Sequence, residues 1–501
     1  MIGARCAGLF GLVGVTACSP NFHPKGCNGD ADCGAGLICV ETTTAAACES
    51  ASGVALHIGM SAPISGTSQN LGIAMRAGVT LAFAEQNAAG GIRGRTLALD
   101  FRDDGYDPTN AEAAARDLID VQIEKGSTPR CPTTATPLVA GQTPVSTSAL
   151  ARGPNAVLAL LGNVGTPTMV RTAPIAVETG TLFFGAFTGA TLMLRDQSAG
   201  PCAKYIFNVR ASYAEEARAT TEFFLKQGVV DDKHLISFDQ DDSFGQAGYD
   251  GLVAAYTALQ GPPSATADPD NPITRFRYVR DDETSVPSQV DLATTYLAGL
   301  LADGQPHTVG VFMTDTYGPA SAFITGLRNW QYKAGNPAAT DLTLILSNVS
   351  FVGPDSLSQR LKAAGTVSTA SGDKPYTDGV FVSQVVPNYQ TNPGDLVHDY
   401  QKALASDDTG AAQSFTSLEG YLAARVFIAG LLQHTGRFTP DALIPTFEQL
   451  PDLALGIGAS ATFSRANHQY SKSVWGTSIE SDGTFTDRYF WTDGTPLQLA
   501  E

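Results

Sequence analysis

Short apolar runs alternate with longer amphipathic stretches along most of the chain. The runs at residues 157–161 and 182–184 have the length of strands and are apolar throughout, which is typical of strands covered on both faces of a parallel sheet. Stretches such as residues 71–87 and 109–123 place apolar positions at helical spacing. Because strand and helix alternate repeatedly, the chain is predicted to be α/β, with two doubly wound parallel sheets.

Small polar residues follow the two apolar runs. Residues 162–165 lead into Thr166 and Pro167, which are predicted to be the N-cap and first residue of a helix, and residues 185–189 form a second small-residue loop. Both loops are expected at the carboxyl edge of the sheet, where open α/β sheets bind ligands. The free N–H groups of the helix suit an anion, so the pattern predicts a carboxylate site; two ordinary strand-to-helix turns are the alternative.

Length and charge limit the possible classes of protein. The chain has 501 residues, too many for one hydrophobic core, so two lobes are expected. Its 31 basic and 49 acidic residues give a formal charge of −18, without long runs of either sign. This balance argues against a nucleic-acid partner.

The first residues have the features of an export signal. Arg5 precedes a Gly-rich apolar stretch that is too short to cross a bilayer, and residues 15–17 are small or apolar and precede Cys18. The stretch resembles a bacterial lipoprotein signal at residues 1–17, after which Cys18 carries the lipid that anchors the protein to a membrane. The alternative is an ordinary secretory signal that is cleaved between residues 17 and 20. Both interpretations export the protein.

The remaining cysteines indicate an oxidising compartment. Four of them lie in a Gly-, Asp- and Asn-rich segment too small to fold by hydrophobic burial, so two disulfides of open connectivity are expected among Cys27, Cys33, Cys39 and Cys48. A zinc site is the alternative, but the spacings are wider than those usual for zinc. Cys131 and Cys202 lie in loops on either side of the two apolar runs and are expected to pair with each other.

Three stretches carry a resemblance to a known family. They are GMSAPISGTSQNLG at residues 59–72, AEQNAAGGIRGRTLALDFRDDGYDPTNAEAAARDLI at residues 84–119 and LLGNVGTPT at residues 160–168. Together they resemble the leucine/isoleucine/valine-binding family of periplasmic substrate-binding proteins, which have the type I periplasmic binding protein fold and serve ABC transporters. The similarity extends from about Val54 to the C-terminus, and the Pro- and Thr-rich residues 125–154 have the character of a surface insertion.

The resemblance implies two doubly wound lobes that are joined by a multi-strand hinge and preceded by a small cysteine-rich segment. The implied division is a signal peptide at residues 1–17, a cysteine-rich segment and linker at 18–52, a first lobe at 54–209 and about 387–450, and a second lobe at about 210–385 and 451–501. The ligand is expected to bind between the lobes.

The resemblance also implies which residues contact the ligand. In the first lobe Thr166 is expected to bond the ligand carboxylate, and Phe187 and Thr188 to hold its carboxylate and amine. In the second lobe Tyr317 and Phe244 are expected to close aromatic rings over the ligand, with core packing as their alternative role. The other candidates are Tyr213 at the crossing between lobes, and Ser65 and Gly66 near the entrance.

Two features depart from that family. Its amino-acid binders carry an acidic residue after the strand predicted here at residues 342–347, where this chain has Asn348 and no carboxylate before Asp355. An ammonium buried without a countercharge costs several kcal/mol, so either another acid such as Asp315 replaces the missing one or the ligand has no amine. An aromatic ring near the entrance is replaced at about Leu71.

The predicted function is capture of an amino acid or related small carboxylate by closure of the lobes, and its delivery to an ABC transporter permease. The protein is expected to be a periplasmic, membrane-anchored lipoprotein. A ligand sensor or interaction lipoprotein with the same fold is the alternative. An enzyme is disfavoured because the chain has no G-x-S-x-G, H-E-x-x-H or P-loop motif and its 7 histidines are scattered. No catalytic residue, cofactor or metal site is therefore predicted.

Overall fold

The computed structural model describes residues 26–27, 29–34, 37–41, 46–50, 54–193, 195, 200–264, 270–407, 410–459 and 461–500. The predicted signal peptide and its lipidation site at Cys18 lie outside the described residues. The lipid anchor therefore stays a prediction.

The helices and strands are numbered in chain order. The first are β1 (Leu37–Glu41), β2 (Ala46–Ser50), β3 (Ala55–Ala62), α1 (Gln69–Ala88), β4 (Thr96–Asp103), α2 (Pro108–Leu118), β5 (Gln122–Glu124), α3 (Pro132–Ala135), β6 (Ala149–Ala151), β7 (Ala159–Leu161), α4 (Thr166–Thr179), β8 (Leu182–Phe184), β9 (Ile206–Phe207) and α5 (Tyr213–Lys226). The second series is β10 (Leu235–Gln240), α6 (Ser243–Gln260), β11 (Thr274–Tyr278), α7 (Val286–Leu300), β12 (His307–Thr314), α8 (Tyr317–Gln331), α9 (Ala338–Asp341), β13 (Leu342–Asn348), α10 (Pro354–Ala364), β14 (Thr366–Thr369), β15 (Gly372–Pro375) and β16 (Val380–Gln384). The last elements are α11 (Asp395–Ala405), α12 (Phe415–Gln433), α13 (Pro440–Glu448), β17 (Ser473–Ile479), β18 (Phe485–Thr492) and β19 (Gln498–Leu499).

The first lobe is built on a five-stranded parallel sheet with the strand order β4-β3-β7-β8-β9. The predicted strand at residues 157–161 is shorter in the structure, because the Val157 N–H donates to the Leu118 carbonyl at the end of α2. The same bond marks where α2 stops, ahead of the helix end predicted at Ile123. The α/β class and the parallel first sheet are as predicted.

The second lobe is built on an eight-stranded sheet with the order β11-β10-β12-β13-β16-β17-β18-β19. Its first five strands are parallel, and the last three pair antiparallel. The structure differs from the predicted parallel sheet at this edge, because short connections join β17 to β19 and such connections favour antiparallel pairing. The helices that follow β12 and β13 hydrogen-bond to the first lobe.

Two helices distant in sequence form the tightest packing of the first lobe. A Cβ on Gly78 of α1 would collide with the Ser417 carbonyl oxygen of α12, so only glycine allows this approach. By length and composition α12 is apolar enough to cross a membrane, but 83% of it is buried inside the protein. Its apolar composition is explained by this packing.

The residues of the predicted insertion are fastened to α4. Cys131 and Cys202 form a disulfide with an S–S distance of 2.01 Å. The buried Glu178 of α4 accepts hydrogen bonds from the N–H groups of Arg130 and Cys131 at 2.8 and 2.7 Å. The insertion therefore contributes to the first lobe as an ordered flank.

The cysteine-rich segment is fixed to the first lobe. Its disulfides join Cys27 to Cys39 and Cys33 to Cys48, with S–S distances of 2.03 and 2.00 Å. Asp30 lies 2.8 Å from Arg93 Nη1 and 2.9 Å from Arg95 Nη2. We call Asp30, Arg93 and Arg95 the Asp30 cluster. It holds the segment at the end of the lobe where β4 begins, opposite the carboxyl edge of the sheet.

Candidate functional site

Two small-residue loops lie side by side at the carboxyl edge of the first sheet. The Phe187 N–H donates to the Asn163 carbonyl at 2.8 Å, and the Gly165 N–H donates to the Phe187 carbonyl at 3.2 Å. The hydroxyls of Thr166 and Thr188, one from each loop, are 2.7 Å apart and fully buried. The loops therefore form one continuous surface at the N-terminus of α4, at the edge where such sheets bind ligands.

The start of α4 differs from the prediction by one residue. Gly165, with φ of 99°, is the N-cap, so Thr166 is the first residue of the helix. Glycine adopts this left-handed conformation without steric cost, and a Cβ there would collide with the Tyr106 ring. As a result the Thr166 hydroxyl is directed towards Thr188 and does not cap the helix.

Two tyrosines cover the loops. The Tyr106 ring lies against Gly165, and the Tyr213 N–H donates to the Gly189 carbonyl at 2.9 Å. Both side chains are buried, and neither hydroxyl forms a well-aligned hydrogen bond within the described parts of the chain, although Gln240 lies near that of Tyr106 and Thr188 near that of Tyr213. Burial raises the pKa of both phenols, so both remain protonated donors. Unpartnered buried hydroxyls are uncommon in folded proteins, so these two are candidate contacts for a ligand.

An aromatic cluster links these tyrosines to the second lobe. Phe351, in the turn after β13, has its ring centroid 4.8 Å from that of Phe187 and 4.7 Å from that of Phe244. The Phe351 and Tyr106 centroids are 6.1 Å apart, and those of Phe244 and Tyr213 are 5.4 Å apart. The predicted residues Phe187, Tyr213 and Phe244 thus meet in one cluster. The sequence did not predict Phe351 or Tyr106 as ligand contacts, although Tyr106 lies in the stretch DDGYDP at residues 103–108, which is part of the family resemblance.

A buried arginine lies beside this cluster, at the crossing between the lobes. Arg210 is 2% exposed, and its Nη2 is 2.6 Å from Glu216 of α5 and also bonds the Ser350 hydroxyl. Its Nη1 is 3.4 Å from Glu419 of α12, an ion contact without an aligned hydrogen bond. Burial lowers the pKa of Arg210, but the two acids outweigh it and the pKa is raised, so the guanidinium stays charged. We call Arg210, Glu216, Glu419 and Ser350 the Arg210 network.

The two acids of this network are in different states. Glu216 also accepts hydrogen bonds from the Ser350 N–H at 2.8 Å and the Ser383 hydroxyl at 2.7 Å. Burial raises the pKa of Glu419 to about 7, although Arg210 opposes the shift. The network therefore holds one guanidinium, one acid with several hydrogen-bond donors and, near neutral pH, one carboxyl group that is partly protonated. It also spans the joint, because α5 belongs to the second lobe and α12 packs on the first.

The two lobes contact each other at the rim of the cleft. The Tyr317 hydroxyl donates to the Thr67 carbonyl. The hydroxyls of Thr67 and Ser68 donate to Asp281 at 2.7 and 3.1 Å. The lobes are therefore closed in this structure, with Tyr317 at the rim.

The predicted entrance residues lie on the outer side of this rim. Ser65 and Gly66 are exposed, and Gly66 has φ of 80°. Ser65 interacts with Asp103 of the first lobe, and that contact contributes to a lowered pKa of Asp103, although burial opposes it. The bonds to the second lobe come instead from the adjacent Thr67 and Ser68.

Asp315, the acid considered as a replacement countercharge, lies inside the second lobe. It is fully buried, and neither carboxylate oxygen has a hydrogen-bond partner among the residues that the structure describes. Burial and repulsion by Asp239 raise the pKa of Asp315 well above its usual value. Burial therefore favours the neutral form of Asp315, which makes this group a poor countercharge for an ammonium.

The described cysteines of the cysteine-rich segment are unavailable as metal ligands. Sulfur atoms of Cys27, Cys33 and Cys48 lie within 4.8 Å of one another, close enough in principle to share an ion. All three are consumed in disulfides, which removes the thiolates that zinc requires.

The chain is similar to known binding proteins over most of its length. A profile of the family described as periplasmic binding protein matches residues 55–123 and 148–275, and the gap between them falls within the predicted insertion. A possible leucine/isoleucine/valine-binding protein from Rhodopirellula baltica has 29% identity and a TM-score of 0.66, with 88% of this chain and 97% of that chain covered. The chain is therefore similar to the periplasmic binding proteins in sequence and in fold. Both similarities support the predicted type I periplasmic binding protein fold.

Other solved periplasmic binding proteins share the fold at lower identity. A solute-binding protein of an ABC transporter from R. palustris, in complex with benzoate, has 18% identity and a TM-score of 0.60, with 89% of this chain and 98% of that chain covered. A leucine-binding protein from Thermotoga maritima has 13% identity and a TM-score of 0.60, with 87% and 99% covered. No curated protein sequence matches the chain significantly.

Proposed function

We propose that this chain is an exported periplasmic binding protein that captures a small carboxylate between its lobes and delivers it to the permease of an ABC transporter. The observation that carries the proposal is the pair of buried, unpartnered hydroxyls of Tyr106 and Tyr213 above the loops that open α4. Each can donate to a carboxylate oxygen, as can the N–H groups of the first helical turn and whichever hydroxyl of the Thr166–Thr188 pair accepts within that pair and so keeps its own hydrogen free.

The energetics favour burial of the ligand over a purely electrostatic site. A helix N-terminus contributes about 0.3–2 kcal/mol to binding an anion, whereas micromolar affinity needs about 8 kcal/mol. Most of the affinity must come from hydrogen bonds in a site without water and from apolar contact with Phe187, Phe244 and Phe351. Since these rings come from both lobes, the site is complete only after closure.

The proposed cycle has an open and a closed form. The ligand first binds the loops of the first lobe, and the second lobe then brings Phe351 over it and Tyr317 to the rim. Contacts such as that between Asp281 and Thr67 favour the closed form only after the lobes meet. The benzoate complex of the R. palustris protein supports a small acid as the ligand, and the transporter roles of the neighbours support delivery to a permease.

We also propose that lipid on Cys18 anchors the protein and that the cysteine-rich segment serves as a spacer. The second candidate function is a sensor that reports the ligand to another protein, in which the cysteine-rich segment, held to the lobe by the Asp30 cluster, binds the partner. Deletion of the gene distinguishes the two functions. Loss of uptake of the bound acid supports delivery, and unchanged uptake supports the sensor. Metabolic labelling with palmitate, with Cys18→Ala as the control, tests the anchor.

The carboxylate site is tested by threonine variants of the soluble protein. Thr166→Ala and Thr188→Ala each remove one hydroxyl donor to a charged ligand, which is expected to weaken binding about 10- to 100-fold. Calorimetric titration with an acid selected by thermal shift gives the measurement. Thr172→Ala is the matched control, because that hydroxyl bonds the Thr168 carbonyl within α4. Full affinity in both Thr166→Ala and Thr188→Ala would exclude the assigned site.

A further inference from the structure

One side chain of the protein itself fills the middle of the cleft. The ring centroid of Phe351 is 4.8 Å from that of Phe187 in the first lobe and 4.7 Å from that of Phe244 in the second. Separations of this size mean direct contact between aromatic rings. All three side chains are at most 1% exposed. In the closed form Phe351 therefore occupies the space between the two other rings, where the apolar body of a ligand would otherwise lie.

The backbone that carries Phe351 is fastened to the second lobe. The Ser350 N–H and hydroxyl donate to Glu216 of α5 at 2.8 and 3.1 Å. The Val349 N–H donates to the Met313 carbonyl in β12 at 3.0 Å. Because α5 and β12 belong to the second lobe, Phe351 moves with that lobe as a fixed part of its surface when the cleft opens and closes.

The other end of the same turn is packed between the lobes. A Cβ on Gly353 would lie 2.7 Å from Leu71 of α1, in the first lobe, and 3.2 Å from the Tyr317 ring. Packing this close leaves no space for an additional methyl group. The turn is thus held on both sides of Phe351, and closure of the lobes brings its ring against Phe187 each time.

The polar contacts proposed for the ligand lie beside Phe351 and are not covered by it. The Phe351 and Tyr106 centroids are 6.1 Å apart, and the hydroxyls of Tyr106 and Tyr213 lack well-aligned partners within the described residues. A carboxylate that bonds these hydroxyls and the start of α4 has the Phe351 ring next to its body. A short aliphatic chain fits against the face of a ring, whereas a second ring needs the volume that Phe351 already fills.

We propose that Phe351 sets the upper size limit of the ligand, so that the closed cleft takes short aliphatic carboxylates and excludes acids that carry an aromatic ring. The inference rests on the proposed function and defines its ligand class. Phe351 acts here as a specificity-determining residue, because it occupies the volume by which the two classes of acid differ. A close-packed site discriminates by single methylene groups about 10- to 200-fold, so a whole ring is ample for exclusion.

A series of acids tests the inference with the unaltered mature protein. Acetate, propionate and butyrate are compared with phenylacetate and 3-phenylpropionate by calorimetric titration. We expect at least one short acid to bind at least about tenfold more tightly than either aromatic acid. Equal or tighter binding of the aromatic acids overturns the inference and leaves the proposed function standing. If no carboxylate of either class binds, the proposed function itself is overturned.

A cavity variant tests the role of Phe351. Phe351→Ala opens a space lined by Phe187 and Phe244, so the preference is expected to shift at least about tenfold towards the aromatic acids. A residue with only a structural role would weaken both classes alike, and that result overturns the assignment. Phe323→Ala is the matched control, because that ring stacks on Phe238 at 3.8 Å inside the second lobe and its loss is expected to leave the preference unchanged.

A milder variant keeps the test available if Phe351→Ala does not fold. Phe351→Leu retains an apolar side chain and removes the ring, so it disturbs the packing less. Its preference is expected to shift in the same direction by a smaller factor. An unchanged preference in folded Phe351→Leu would contradict a size limit set by Phe351.

Discussion

Two ion clusters with opposite ratios of basic to acidic groups lie at the two ends of the first lobe. The Asp30 cluster has two guanidinium groups for one carboxylate, and the Arg210 network has one guanidinium for two carboxylates. Burial opposes ionisation of Asp30, but Arg95, the Cys39 N–H and Arg93 outweigh it and lower its pKa. At the other end burial prevails for Glu419 and raises its pKa to about 7.

The difference matches what each cluster does. An acid with surplus cations stays ionised at all ordinary pH values, which suits a segment that is fastened to its lobe. A cation with two buried acids leaves one of them, Glu419, with a raised pKa, so the charge of the joint between the lobes changes near neutral pH.

The largest effect on stability is expected from removing the central cation. Arg210→Gln leaves Glu216 buried without its countercharge, which is expected to reduce the free energy of unfolding by about 3–5 kcal/mol. Urea denaturation measures the loss. The control Arg102→Gln breaks an exposed pair with Asp117 and is expected to cost at most about 1 kcal/mol. Similar losses in the two variants would mean that the network is no more important than a surface pair.

The next largest effect is the pH dependence of stability that comes from the titration of Glu419. Its carboxyl group has a usual pKa of 4.5 and a folded pKa of about 7, so folding takes up a proton between these values. This contribution to stability is present at low pH and falls as pH rises to about 7. Glu419→Gln removes this pH dependence. The free energy of unfolding of the variant minus that of the wild type is therefore expected to be about 2–3 kcal/mol larger at pH 8 than at pH 4.5. An equal difference at both pH values would contradict the raised pKa.

A smaller and local effect is expected at the Asp30 cluster. Asp30→Asn weakens the bonds to Arg93 and Arg95 and is expected to destabilise the attachment of the cysteine-rich segment by about 1–2 kcal/mol. Because the pKa of Asp30 is lowered, this contribution is present above its usual pKa of 3.8 and is lost as pH falls below it. Hydrogen exchange of residues 37–50 reports the loosening, and the core strands of the lobe serve as the internal control. Unchanged exchange at pH 7 would show that the disulfides alone hold the segment.

The smallest effect, a loss of ligand affinity, is expected at the rim of the cleft. Tyr317→Phe removes the hydrogen bond to the Thr67 carbonyl and keeps the ring, so ligand affinity is expected to fall about two- to tenfold. Tyr332→Phe, whose hydroxyl bonds Lys374 in the second lobe, is the control. Equal affinities for the wild type and Tyr317→Phe would place closure on the aromatic cluster and the Arg210 network alone.

The elements that the sequence predicts well are those with local causes. The apolar strand β8 runs from Leu182 to Phe184 as predicted, and Asp107 caps α2 ahead of Pro108 through bonds to the next two N–H groups. Caps and buried strands depend on neighbours in the chain, so their signal is local. The start of α4 was displaced by one residue because its cap depends on Tyr106, which reaches Gly165 only in the folded protein.

The chain by itself therefore determined the α/β repeats, the two small-residue loops at the sheet edge and the cysteines that can pair. Only the tertiary structure brought Arg210 to Glu216 and Glu419, and Phe351 to Phe187. These contacts join residues from α5, α12 and the turn after β13, and no periodicity or short motif encodes which distant side chains will share a buried space. Charge in that space depends on the sum of the groups assembled there, which is fixed by packing and not by local sequence.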